Sequence, residues 1–123
     1  MYSTQFPIQP DLLGVDPGPI GRIEPTMSGQ VFEISTPGAV GEPRVLSNPT
    51  AAGWLLFIRI KEYAAETNNI IYAERGFYEE QPEEAEFSAQ DSWLMLISVT
   101  AAADGEFRWL VIGESGAVIT ASA

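Results

Sequence analysis

Eight of the nine prolines (7, 10, 17, 19, 25, 37, 43 and 49) fall before residue 50, together with six of the eleven glycines. Proline fixes φ and carries no N–H, so proline this dense keeps a segment out of helix interiors and central strands. Residues 1–28 are therefore expected to form an extended, irregular arm, locally polyproline II in character. The stretch is nonetheless unlike a disordered tail. It carries Tyr2, Phe6, Ile8, Leu12, Leu13, Val15, Ile20, Ile23 and Met27 with sparse charge. An arm of this kind must bury its apolar side chains, either on its own body or on a neighbouring chain.

From residue 29 onward the pattern is one of short strands. "QVFEIS" (30–35) alternates, with Val31 and Glu33 opposite to Phe32 and Ile34. In "WLLFIRIK" (54–61) a period of two places Leu56, Ile58 and Ile60 on one face and Phe57, Arg59 and Lys61 on the other. A helix running on into "EYAAET" competes here, but the β-branched and aromatic content favours a strand, leaving room for a turn of helix near 62–67. "NNIIYAE" (68–74) is expected as a strand after an Asn-Asn turn. "YEEQPEEAEFSAQD" holds six acids and no base and is expected as an exposed loop with a short edge strand near 84–88. "SWLMLISVT" (92–100) is apolar on both faces and hence expected to be central. Asp104-Gly105 signals a hairpin, and "FRWLVIG" and "AVITA", separated by "GESG", are expected to form a second, closing hairpin. The sum is an all-β fold: an antiparallel β-sandwich or barrel, jelly-roll-like, over residues 29–123, preceded by the arm.

Chemistry is constrained by what is missing. The 123 residues include no histidine and no cysteine. Histidine- and thiol-based catalysis, zinc thiolate sites and disulfides are all beyond this chain acting alone. Seventeen acidic residues against six basic ones give a formal charge of −11, which repels nucleic-acid backbones and anionic membranes. The Glu cluster at 79, 80, 83, 84 and 86 lacks apolar neighbours that would raise one carboxyl for glycosidase work. No D-x-[DN]-x-[DN]-G calcium loop and no phosphate-binding glycine motif is present. No catalytic, cofactor-binding or metal-binding residues are expected, and the chain reads as a non-enzyme. Trp54, Trp93 and Trp109 lie among aliphatic strand residues, where packing in the core or an interface is the ordinary fate of a large aromatic. The N-terminus has neither the basic nor the apolar region of a secretory leader, and no apolar run is long enough to span a membrane.

Three short stretches carry a resemblance: "PTAAG" (49–53) leading into a strand, the apolar strand 92–100, and the closing "W-x-V-I-G-x-x-G-x-V" segment (109–118). Over residues 45–121 the chain resembles small β proteins of bacteriophage particles, especially capsid decoration (cement) proteins and β modules of head and tail fibres. The resemblance implies a homo-oligomeric module, with a trimer favoured, that clamps the major capsid protein at the virion surface after synthesis in the host cytoplasm. No cofactor, nucleic acid or membrane enters that role. Contact with the capsid or a neighbouring subunit is assigned to Tyr2, Phe6, Ile8, Leu12 and Leu13 of the arm. The alternative is a receptor- or glycan-binding module of a head or tail fibre, contacting its ligand through Phe77, Tyr78, Glu79 and Glu80.

Overall fold

The structure is a computed structural model that describes residues 12–18, 20–36, 43–63, 69–78, 84–101 and 105–120. Its strands are β1 (Leu13–Gly14), β2 (Arg22–Ile23), β3 (Gln30–Thr36), β4 (Arg44–Leu46), β5 (Leu55–Tyr63) and β6 (Asn69–Ala73). They continue as β7 (Phe77–Tyr78), β8 (Glu84–Phe87), β9 (Trp93–Thr100), β10 (Phe107–Ser115) and β11 (Ala117–Thr120). One sheet has six strands in the order β1-β3-β5-β9-β10-β7, and the other has five in the order β11-β8-β6-β4-β2.

The fold is all-β, with two sheets enclosing one core in the manner of a sandwich. Alternation within each strand supplies that core. In β3 the buried residues are Gln30, Phe32, Ile34 and Thr36, and in β5 they are Leu56, Ile58 and Ile60. Leu94 and Leu96 of β9 and Trp109 of β10 meet Ile23, Leu46, Ile71, Ala85 and Phe87 of the other sheet. Trp109 is 1% exposed, and its indole N–H donates to the Ser47 carbonyl at 2.9 Å, which satisfies the ring's one polar atom inside the core.

The expected all-β, sandwich-like arrangement is present, and only its antiparallel character is corrected. Five of the nine strand pairings are parallel: β1 with β3, β3 with β5, β2 with β4, β4 with β6, and β10 with β7. The cause lies in the chain's path. Up to β6 consecutive strands alternate between the sheets, so β1, β3 and β5, and likewise β2, β4 and β6, lie two apart in sequence and pair in parallel, with an opposite-sheet strand serving as the crossover, whereas β8 runs antiparallel to β6 and β9 antiparallel to β5. Among the described strands, only β9 and β10 are consecutive in one sheet. They form the expected hairpin, closed by Ala101 N–H donating to the Glu106 carbonyl at 2.7 Å.

The expected "GESG" hairpin is likewise corrected. β10 pairs with β9, while β11 pairs with β8 in the opposite sheet, so the chain turns a corner between sheets at Gly116. Gly116 has φ +73, and a Cβ there would collide with the Ser92 side chain. The strand after the corner is paired through Thr120, and residues 121–123 lie outside the described residues.

The proline-rich stretch was read as an arm ahead of the body, and its described part is built into both sheets. β1 lies at the edge of the first sheet, β2 at the edge of the second, and Ile23 is fully buried. Between them, Asp16 is fixed by charge-assisted hydrogen bonds. Arg44 donates through Nε to Oδ1 at 2.9 Å and through Nη2 to Oδ2 at 3.1 Å, and the backbone N–H groups of Gly18 and Ser35 donate at 3.0 Å each. Arg44 opens β4 of one sheet and Ser35 belongs to β3 of the other, so a single carboxylate ties the crossing segment to both. Tyr2, Phe6 and Ile8, the 62–67 helical turn beyond Tyr63, and Glu79 and Glu80 fall outside the described residues.

Arg44 is 1% exposed and Asp16 22% exposed, so Asp16→Ala removes the carboxylate that accepts from Nε and Nη2 of a buried guanidinium. Urea denaturation should show a loss of about 3 kcal/mol, the lower end for breaking a buried pair. Burial pushes the Asp16 carboxyl up, but Arg44 and the two N–H donors outweigh it and hold the carboxyl below its ordinary value. A lowered folded-state value stabilises the fold at pH above the unfolded value, so this contribution should be lost as the pH falls through the acid range below about 4. Gly116→Ala should lower stability by about 1–3 kcal/mol in the same assay, through positive φ and the collision with Ser92.

Candidate interaction face

The side chains of the six-stranded sheet that point away from the core are mostly apolar. The registers align Leu13, Val31, Phe57, Met95 and Gly113 in one row across β1, β3, β5, β9 and β10. A second row holds Leu55, Ile97, Leu110 and Tyr78 across β5, β9, β10 and β7. Leu13, Leu55 and Met95 are 41%, 45% and 36% exposed, and the others are half-buried.

A third row carries the polar border: Glu33, Arg59, Trp93 and Ser115. Arg59 is paired with Glu33 at 2.9 Å and with Asp91 at 3.3 Å, and its Nε is buried with no hydrogen-bond partner. The Trp93 ring lies over Gly113, 3.2 Å from where a Cβ would stand, so the missing side chain makes room for the indole. It also stacks with Phe57, with ring centroids 5.7 Å apart and planes at 24°.

The opposite outer face, on the five-stranded sheet, differs in character. There Glu84 and Glu86 of β8 are flanked by Tyr72 and Ile70 of β6, and Glu86 also by Val118 of β11. The first outer face is thus mostly apolar, while the second mixes Glu84 and Glu86 with Ile70, Tyr72 and Val118. No group of three or more acids that could hold a metal ion occurs among the described residues.

These placements sort the candidates from the sequence. Leu13 and Tyr78, drawn from the two competing contact sets, stand at opposite edges of the same apolar face. Leu12 is half-buried beside it. Phe77 does not fit an exposed contact. It is fully buried in the core, because β7 pairs alongside β10 and turns Phe77 inward with Trp109. Sequence reasoning missed the face as a site, although its signal was legible: Met95, Ile97 and Val99 make 92–100 apolar on its second side. β9 is central as expected, but nothing in the described structure covers that second side.

No known family model matches this chain, and no curated protein matches it.

A contact face should tolerate changes that the core does not. Leu55→Glu should cost about 1 kcal/mol or less in urea denaturation, as for other exposed positions, while lowering the binding of an apolar fluorescent dye. Leu94→Ala, at a fully buried position, should cost about 2–5 kcal/mol.

Proposed function

We propose that this protein is a non-enzymatic structural module of a phage particle, a capsid decoration or cement protein that binds the assembled capsid and stabilises it. The observation that carries this reading is the apolar outer face of the six-stranded sheet in a chain of charge −11. Repulsion between copies keeps so acidic a chain dispersed, and a large apolar face in that setting is most simply a surface for specific packing. The face extends to Leu13, which follows the proposed contact residues Tyr2, Phe6, Ile8 and Leu12 in sequence. The sequence resemblance to cement proteins and the lack of histidine and cysteine agree with a structural role. The partners in this reading are the major capsid protein and further copies of the chain, a trimer favoured, at the virion surface.

A second reading, a glycan- or receptor-binding module of a head or tail fibre, draws on the Phe57–Trp93 ring pair beside Arg59. On a glycan array it predicts binding that is lost with Trp93→Ala, where a cement protein shows none.

The first reading is tested by purifying the protein with assembled particles and measuring its copy number per particle. Removing residues 1–28 would not isolate the contact, because it also removes β1, β2, Asp16 and the buried Ile23. Removing residues 1–11 leaves those in place. That truncation should keep its thermal transition and lose binding to assembled capsids, and undiminished binding would overturn the assignment of the contact to this segment.

A further inference from the structure

The corner between β1 and β2 carries the two most exposed large apolar side chains among the described residues, Val15 at 82% and Ile20 at 81%. The backbone that presents them is held from several sides. Asp16 is bonded to Arg44 and Ser35, and Gly18 N–H donates to Asp16 Oδ1 at 3.0 Å. Gly21 N–H donates to the Gly18 carbonyl at 2.9 Å, and Ile20 N–H to the Pro43 carbonyl at 2.7 Å. Ile20 moreover has φ +65, left-handed backbone that a β-branched residue rarely adopts. Glycine or asparagine would take that conformation with less strain. Within one copy the isoleucine gains no burial to offset the strain, which points to a contact outside the copy.

The same molecule carries an apolar recess. Where β3 and β5 begin, the outer face of the six-stranded sheet dips into a groove of about 190 Å³ lined by Gly29, Gln30, Leu55, Leu56, Phe57 and Met95, none with an ionised side chain. A copy's own Ile20 does not fill it. The groove lies at Gly29 and Gln30, whereas the corner is bonded to Ser35, roughly 17 Å further along β3 at about 3.3 Å per residue. Knob and groove are therefore separate surfaces. Joining them between copies is a head-to-tail contact, which closes into a ring or runs on as a filament.

Charge favours this pairing. Copies that each carry −11 repel one another, so a contact between them must keep unpaired ionised groups out of its centre. Residues 17–21, Pro-Gly-Pro-Ile-Gly, carry no charge, and Asp16 beside them is paired with Arg44. The outer face of the five-stranded sheet, with Glu84 and Glu86, offers Ile20 no comparable seat.

We infer that the groove receives Ile20 from a second copy of this chain, presented by the rigid corner between β1 and β2. The contact rests on the self-packing part of the proposed function. Its test uses the purified protein alone, so its failure leaves capsid binding to be judged separately by copurification with particles.

The cysteine-free chain permits a direct measurement. Full-length Ile20→Cys and Leu55→Cys variants are mixed, oxidised and run on a non-reducing gel. The mixture should give covalent dimer in several-fold greater yield than either variant alone, and than Ile20→Cys mixed with Val118→Cys on the opposite outer face. Equal yields, or an excess of Ile20→Cys joined to itself, would overturn the inference. Sedimentation of the unaltered protein should show self-association that strengthens as salt rises from about 0.05 to about 0.5 M, because screening removes the repulsion. A monomer throughout would overturn the inference in favour of a different protein as the occupant. Ile20→Asn should weaken self-association roughly tenfold or more, with the thermal transition kept or raised, since asparagine accepts left-handed backbone. Undiminished association would count against the contact, and a lowered thermal transition would give Ile20 a structural role instead.

Discussion

Everything in this fold follows from one constraint: after nearly every strand, the chain crosses to the opposite sheet. A chain that crosses this often makes little use of two-residue hairpins, and through β6 its sheet neighbours, each pair separated by a single strand, come out parallel. It also needs many corners, and the corners are where the special residues lie. Pro17, Gly18 and Ile20 lie between β1 and β2, Pro25 and Gly29 between β2 and β3, and Pro49 and Gly53 between β4 and β5. Pro17, Pro25 and Pro49 thus each mark a corner next to a strand of two or three residues.

Short strands bury little, so the crossing segments need other ties. Asp16 provides one, because its carboxylate accepts from a buried arginine that opens one sheet and from a backbone N–H in the other. Such a pair costs desolvation, and its worth lies in specifying where the crossing sits more than in raw stability. Around it the two sheets close on a core whose largest fully buried side chain, Trp109, is itself tied to the segment after β4. The apolar outer face is the complement of this arrangement. β5 and β9, the central strands of the six-stranded sheet, have apolar residues on both sides, and only one side is used by the core.

Much of the site was within reach of the sequence but mis-sorted. The alternation in 54–61 grouped Leu56, Ile58 and Ile60 on the face that proves to be inward, while 92–100, apolar on both faces, gave no choice between Leu94 and Leu96 and the residues that point the other way. What it could not supply was whether a second layer covers them. Phe77 and Tyr78 show the same limit. Adjacent in sequence and alike in chemistry, they part because pairing with β10 turns one into the core and the other onto the face. Arg44, in a short strand behind Pro43, gave no signal of burial at all, since a buried arginine is decided by a carboxylate twenty-eight residues away.

By itself, then, the sequence determined the all-β class, the alternation of faces in 30–35 and 54–61, the hairpin between residues 100 and 107, and the lack of histidine and cysteine side chains. Those properties depend on local periodicity, turn residues and composition, which are complete in a short window. Only the tertiary structure decided that five of the nine described pairings are parallel, that "GESG" is a corner, and that Leu13 and Tyr78 border one apolar face. Each of these depends on which strand a given strand pairs with. Backbone hydrogen bonds, which make the pairing, carry no side-chain label, so partner choice is settled by burial over the whole molecule.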